Sequence, residues 1–108
     1  MDTQEARRIV RNVLDQSRGG YTVGDLKHTL VESADGTRFV VIRTGWHQGK
    51  NYYGTMQDVE LRGGQLFIHL DSLDDELADE LMDAGIPASA IVKTYVAPES
   101  PAASALQS

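Results

Sequence analysis

Residues 38–54 read RFVVIRTGWHQGKNYYG, and residues 55–71 continue TMQDVELRGGQLFIHLD. The first segment opens on four consecutive apolar residues, Phe39, Val40, Val41 and Ile42. It then passes Gly45 and Gly49 around the only tryptophan, Trp46, and returns through Tyr52 and Tyr53 to Gly54. β-Branched and aromatic runs separated by glycines predict a strand, an ordered loop and a returning strand. Side chains of a strand alternate between two faces, so a run that is apolar at successive positions needs cover on both. Helices can cover one face; the other asks for a second layer or a second subunit.

The continuation alternates about Gly63-Gly64. A two-residue turn there opposes Leu61 to Leu66, Val59 to Ile68 and Gln57 to Leu70 on one face. Asp58, Glu60, Phe67, His69 and Asp71 then share the other, with Asp58 directly across from His69. Upstream, residues 25–32 and 38–44 read as paired strands, with Asp35-Gly36 supplying the positive-φ residues of a tight turn.

Helices bracket these strands. Asp2 and Glu5 have capping-box spacing, and Ala6, Ile9, Val10, Val13 and Leu14 form one apolar stripe before Gly19-Gly20. Ser72 and Asp75 predict the cap of a second helix striped with Leu73, Leu77, Leu81 and Ala84, and ended by Gly85 and Pro87. Residues 90–96 suit a fifth strand. The expected fold class is α+β: an antiparallel sheet of four to five strands, one helix before it and one after the fourth strand. Residues 1–97 form a single domain on this reading, and 98–108 a disordered tail.

Composition narrows the function classes. Sixteen acidic against ten basic side chains give a formal charge of −6, which argues against independent phosphate-backbone binding. With no cysteine there is no disulfide framework, thiolate nucleophile or cysteine zinc site. The polar N-terminus carries no apolar signal segment, and no run approaches the roughly 18 apolar residues of a membrane span, so a cytoplasmic location is expected.

The candidate chemistry is sparse. Asp58, Glu60, His69 and Asp71 offer carboxylates with one imidazole, a set a divalent cation would accept; a solvated sheet face yields the same cluster. Arg7, Arg11 and Arg18 fall on one helical stripe with Arg8 beside it, fit for a phosphate or acidic partner, or for a solvated face balanced by Glu5 and Asp15. Asp74, Asp75, Glu76, Asp79, Glu80 and Asp83 make the second helix acidic, and the macrodipole favours the first three without any function. Trp46, Tyr52 and Tyr53 fit either a core position beside the sheet, towards which Trp46 is weighted, or an interface anchor. His28 and His47 stand alone. Neither a phosphate-cradling loop nor a serine-nucleophile motif is present.

What the residues imply further comes from their order. Gly45-Trp46, Tyr53-Gly54, the Gly64 turn, Leu66 to Ile68, Asp71, Ala78, Glu80-Leu81, Gly85-Ile86-Pro87 and Ile91-Val92 together resemble the XisI family of fdxN-element excision controlling factors. The chain departs from the family's pattern at Asn51, Asp58 and Leu73. The resemblance implies a non-catalytic accessory factor that acts with a XisH-like, nuclease-fold partner in programmed excision of a DNA element by a site-specific recombinase. It implies no cofactor and no catalytic or metal-binding residue. Contact with nucleic acid is then only indirect, and a homo-oligomer is expected. The partner-binding candidates are Trp46, Tyr52, Tyr53, Asp75, Asp79 and Asp83. Two other readings compete: an acidic inhibitor of a nuclease-like partner, in the manner of an antitoxin or immunity protein, and a metal-dependent enzyme centred on Asp58, His69 and Asp71.

Overall fold

The apolar stripe at the N-terminus folds as helix α1 (Thr3–Gly19), in which Val10 and Leu14 are fully buried. In the computed structural model the described residues are 2–19, 25–72 and 76–96. Asp2 caps α1 by accepting the Gln4 N–H at 3.1 Å, satisfying one of the free donors of the first turn. Glu5, the other half of the expected capping box, pairs instead with Arg8.

Five strands follow in a sheet whose spatial order equals the chain order: β1 (Lys27–Glu32), β2 (Arg38–His47), β3 (Lys50–Arg62), β4 (Gln65–Asp71) and β5 (Ile91–Lys93). β1 to β4 form an antiparallel meander. β5 joins β4 in parallel, because helix α2 (Leu77–Asp83) carries the chain back along the sheet before pairing resumes. The fifth strand is shorter than the 90–96 expected, its start preceded by a 3₁₀ turn at Ala88–Ala90. No helix among the described residues is long and apolar enough to cross a membrane.

Both helices lie on one face. Phe39 and Val41 of β2, Val59 and Leu61 of β3 and Leu66 and Ile68 of β4 meet the α1 stripe and Leu77, Leu81 and Ile86 in one apolar core. Burying a side chain of this size stabilises the fold by roughly 1.5–3 kcal/mol before entropy is counted. Of the expected second-helix stripe, Leu77 and Leu81 are buried, Ala78 takes the place given to Ala84, and Leu73 lies outside the described residues. The tail expected over 98–108 also lies outside them.

Two β-bulges reset the pairing. Between Val41 and Ile42 the partner on β3 jumps from Gln57 to Thr55, so Met56 is the extra residue. Between Asp58 and Val59 the β4 partner jumps from Leu70 to Ile68, leaving His69 as the extra residue. An inserted residue moves everything beyond it to the opposite face of the pleat. Leu61–Leu66 and Val59–Ile68 therefore pair as expected, whereas Gln57 opposes Asp71 and not Leu70, and Asp58 opposes Leu70 and not His69.

The β2–β3 connection is also tighter than an ordered loop. Gln48 and Gly49, at φ 52° and 75°, form a two-residue turn, and Gly63-Gly64 does the same at 59° and 77°. Between β1 and β2 only Gly36 has positive φ. Asp35 instead accepts hydrogen bonds from the Ser33 and Thr37 hydroxyls, both at 2.7 Å, which shapes a longer turn than the two-residue one expected.

Candidate functional site

Because β1 ends opposite Thr44 and β4 ends opposite Gln57, the distal halves of β2 and β3 project as a two-stranded arm. Trp46 and Tyr53 lie on the arm's face away from the helices, 59% and 82% exposed. Trp46 is therefore not a core residue of the described structure: it sits beyond Lys27, the residue of β1 paired with Thr44, where no described element covers it. Tyr52, one pleat over, faces the other way and is half-buried, with the Lys50 ammonium 5.2 Å from its ring centre and His47 tilted against it.

At the arm's base the chain passes very close to itself. A Cβ on Gly45 would lie 2.4 Å from the Asp25 carbonyl oxygen, and Gly45 has φ 132°, a conformation that favours glycine.

The polar cluster on the open face is rearranged by the bulge. Asp58 accepts a bidentate pair of hydrogen bonds from Arg38 at 2.6 and 2.9 Å. His69 turns to Glu60, with Nε2 2.9 Å from Oε1, and its Nδ1 lies 2.8 Å from the Thr94 hydroxyl. Phe67 stacks on the imidazole, and the Arg62 guanidinium covers Phe67. Asp71 is on the other face altogether: Oδ1 accepts from Gln57 Nε2 at 3.2 Å and Oδ2 accepts the Leu77 N–H at 3.0 Å, capping α2 from within the sheet. The cap expected from Ser72 and Asp75 falls partly outside the described residues, which end at Ser72 and resume at Glu76. Asp58, His69 and Asp71 do not converge, and among the described residues no group of three or more such side chains is placed to hold a metal ion.

Three arginines of the basic α1 stripe are held by the chain itself, and the Arg18 side chain lies outside the described residues. Arg7 donates to the backbone carbonyls of Gly36 and Asp35, Arg8 to Glu5, and Arg11 to both oxygens of Glu32 at 2.9 and 3.0 Å. On α2, Asp79 and Asp83 are exposed and the last turn has no basic residue; Asp75 lies outside the described residues. Beside the first turn of α1 there is a cleft of about 320 Å³ against the β3–β4 turn, lined by Thr3, Ala6, Leu61 and Arg62 among others, with no acid–base pair in it.

These contacts set an acid limit on stability. The hydrogen bond from His69 holds Glu60 below its ordinary value of 4.5, Arg11 does the same for Glu32, and the Ser33 and Thr37 hydroxyls lower Asp35. A carboxylate that is more acidic folded than unfolded stabilises fully above its unfolded pKa and loses that contribution as pH falls through the folded one. The melting temperature is expected to stay level from neutral pH to about 5 and to fall below about 4.5. Glu60→Gln should make that fall shallower, and a melting curve unchanged at pH 3 would contradict the assignment.

Comparison with known proteins follows the same fold. The family model described as "XisI protein" matches residues 1–105. A crystal structure of the fdxN element excision controlling factor XisI from Anabaena variabilis superposes with a TM-score of 0.70 at 19% identity, covering 90% of this chain and 96% of that one. A XisI-like protein from the same organism gives 0.72 at 17% identity, covering 88% and 87%. At these identities the structural likeness is one of fold. Curated protein sequences give no match. With the family model spanning all but the last three residues, the chain belongs to the XisI family.

Proposed function

We propose that this chain is an excision-controlling accessory factor that acts by binding a XisH-like, nuclease-fold protein, and that it performs no chemistry itself. The observation that carries this reading is the family match over residues 1–105. It is supported by Arg7, Arg8 and Arg11 of α1, which are tied to acceptors of their own chain and so are poorly placed to grip a phosphate backbone. The heterologous contact is assigned to α2, where Asp79 and Asp83 present negative charge to the basic surface expected of a DNA-facing partner.

Co-expression with a XisH-like protein, followed by size-exclusion chromatography with light scattering, tests this directly. Co-elution at fixed stoichiometry is expected, weakening with salt and in the Asp79→Asn/Asp83→Asn double variant. Separate elution of the two chains would overturn the proposal.

The exposed carboxylates of Asp79 and Asp83 on α2 also favour a second reading, in which this helix occupies the partner's DNA groove as an inhibitor. The same double variant separates the two. Partner nuclease activity would rise on charge removal for an inhibitor, and would stay level or fall for an accessory factor.

A further inference from the structure

The helices cover one face of the sheet, and no described element covers the other. Cross-strand register places Val31 opposite Val40, Ile42 between Thr29 and Thr55, and Tyr53 opposite Thr44, all facing away from the helices. Leu70 extends the Val31–Val40 row through Asp58, and Trp46 extends the strip onto the arm. Val31 is 46% exposed, and Val40, Ile42 and Leu70 are half-buried only by their neighbours in the sheet. This is the face that the run of four apolar residues in β2 leaves without cover.

We propose that this face binds a second copy of the chain, sheet against sheet about a two-fold axis. Charge is the first argument. The chain as a whole carries −6, so two copies repel unless they meet where the acids are absent or already paired. The open face carries Lys27, Arg38 and Arg62 against Asp58 and Glu60, a small positive balance, and both carboxylates are engaged within the chain. A basic heterologous partner would be drawn instead to the acidic α2, on the opposite side. Area is the second argument. The five strands, 6, 10, 13, 7 and 3 residues long, at about 3.3 Å per residue and about 4.8 Å between strands, make a face of roughly 600 Å² with the arm included. That reaches the lower end of stable two-fold interfaces, which take about 600 Å² from each copy. Sheets stacked about 10 Å apart would interdigitate Val40 and Ile42 with their two-fold mates and enclose Trp46.

The interface is independent of the excision role, and the isolated full chain tests it. Light scattering across a dilution series is expected to give twice the 11.8 kDa chain mass, falling to one chain on dilution. Trp46, as the only tryptophan, reports the interface without labelling: acrylamide quenching should be weak in the dimer and strong in the diluted monomer. Ile42→Lys is expected to yield a folded monomer. Tyr53→Asp, at a side chain too exposed to affect folding, should weaken the dimer about tenfold or more and carries the test alone if Ile42→Lys fails to fold. Added salt should leave the dimer intact, unlike the contact assigned to α2. Three results would each overturn the proposal: a monomer at every concentration, a Trp46 shielded equally in the monomer, which would mean the chain's own remaining residues cover the face, or a dimer indifferent to both substitutions.

Discussion

Gly45→Ala is expected to lower the melting temperature by on the order of 15–30 °C, the largest effect of any single-methyl change in the described chain. Two costs coincide at this position. Its φ of 132° is strained for any residue with a Cβ, which alone costs about 1–3 kcal/mol. The added carbon would also sit 2.4 Å from the Asp25 carbonyl oxygen and 3.1 Å from the Leu26 Cα, both backbone atoms that cannot rotate away. Relief requires β1 to shift against β2, breaking the Lys27–Thr44 end of their ladder, so a total of about 3–5 kcal/mol is reasonable. Gly54→Ala is the control, since nothing lies within 4 Å of its Cβ position and its φ is not positive; it should melt close to the parent chain. A Gly45→Ala protein melting within a few degrees of the parent would show that the approach of Asp25 to the arm is not held in solution.

Asp71→Ala should cost about 2–4 kcal/mol, through two groups that one carboxylate serves. Loss of Oδ2 leaves the Leu77 N–H without its cap, worth about 1 kcal/mol, and loss of Oδ1 strands the fully buried Gln57 Nε2 for about 1–3 kcal/mol more. Asp71→Asn keeps one carbonyl oxygen and should recover part of the loss. The mechanism makes a sharper statement about the pair: adding Gln57→Leu to Asp71→Ala should cost less than the two single changes summed, because no donor is left to strand. Denaturant unfolding of the four proteins measures this coupling, and strict additivity would refute the shared-carboxylate account.

Much of this architecture is written in local signals. The α1 stripe, the Gly63-Gly64 turn and the glycine and proline that stop α2 each rest on the conformational preferences of one or two residues, and each is where the sequence reading puts it. The bulges are different. Neither Met56 nor His69 is marked by an unusual residue type, since an extra residue in a strand is accommodated by bending the ladder and needs no glycine or proline. Alternation read straight through them put Asp71 and His69 together on the open face, when the fold uses Asp71 inside. Trp46 failed for another reason: its burial depended on how far β1 extends beside β2, a non-local length that hydrophobicity does not encode. The acidic character of α2 was legible throughout, because exposed carboxylates on a short helix follow from the apolar positions of its other face.

The arginine contacts of α1 bear on what would govern the protein's presence at DNA. Arg7, Arg8 and Arg11 spend their donors on Gly36, Asp35, Glu5 and Glu32, so binding a phosphate would first break a contact that stabilises the fold. Counterion release, the usual source of affinity for a duplex, is then weakened at this face of α1. Under the accessory role, its occupancy at a recombination site is inherited by mass action from the partner. The partner's occupancy of DNA would then cap the number of sites this chain reaches, with its own concentration relative to the Kd of the pair setting the fraction filled.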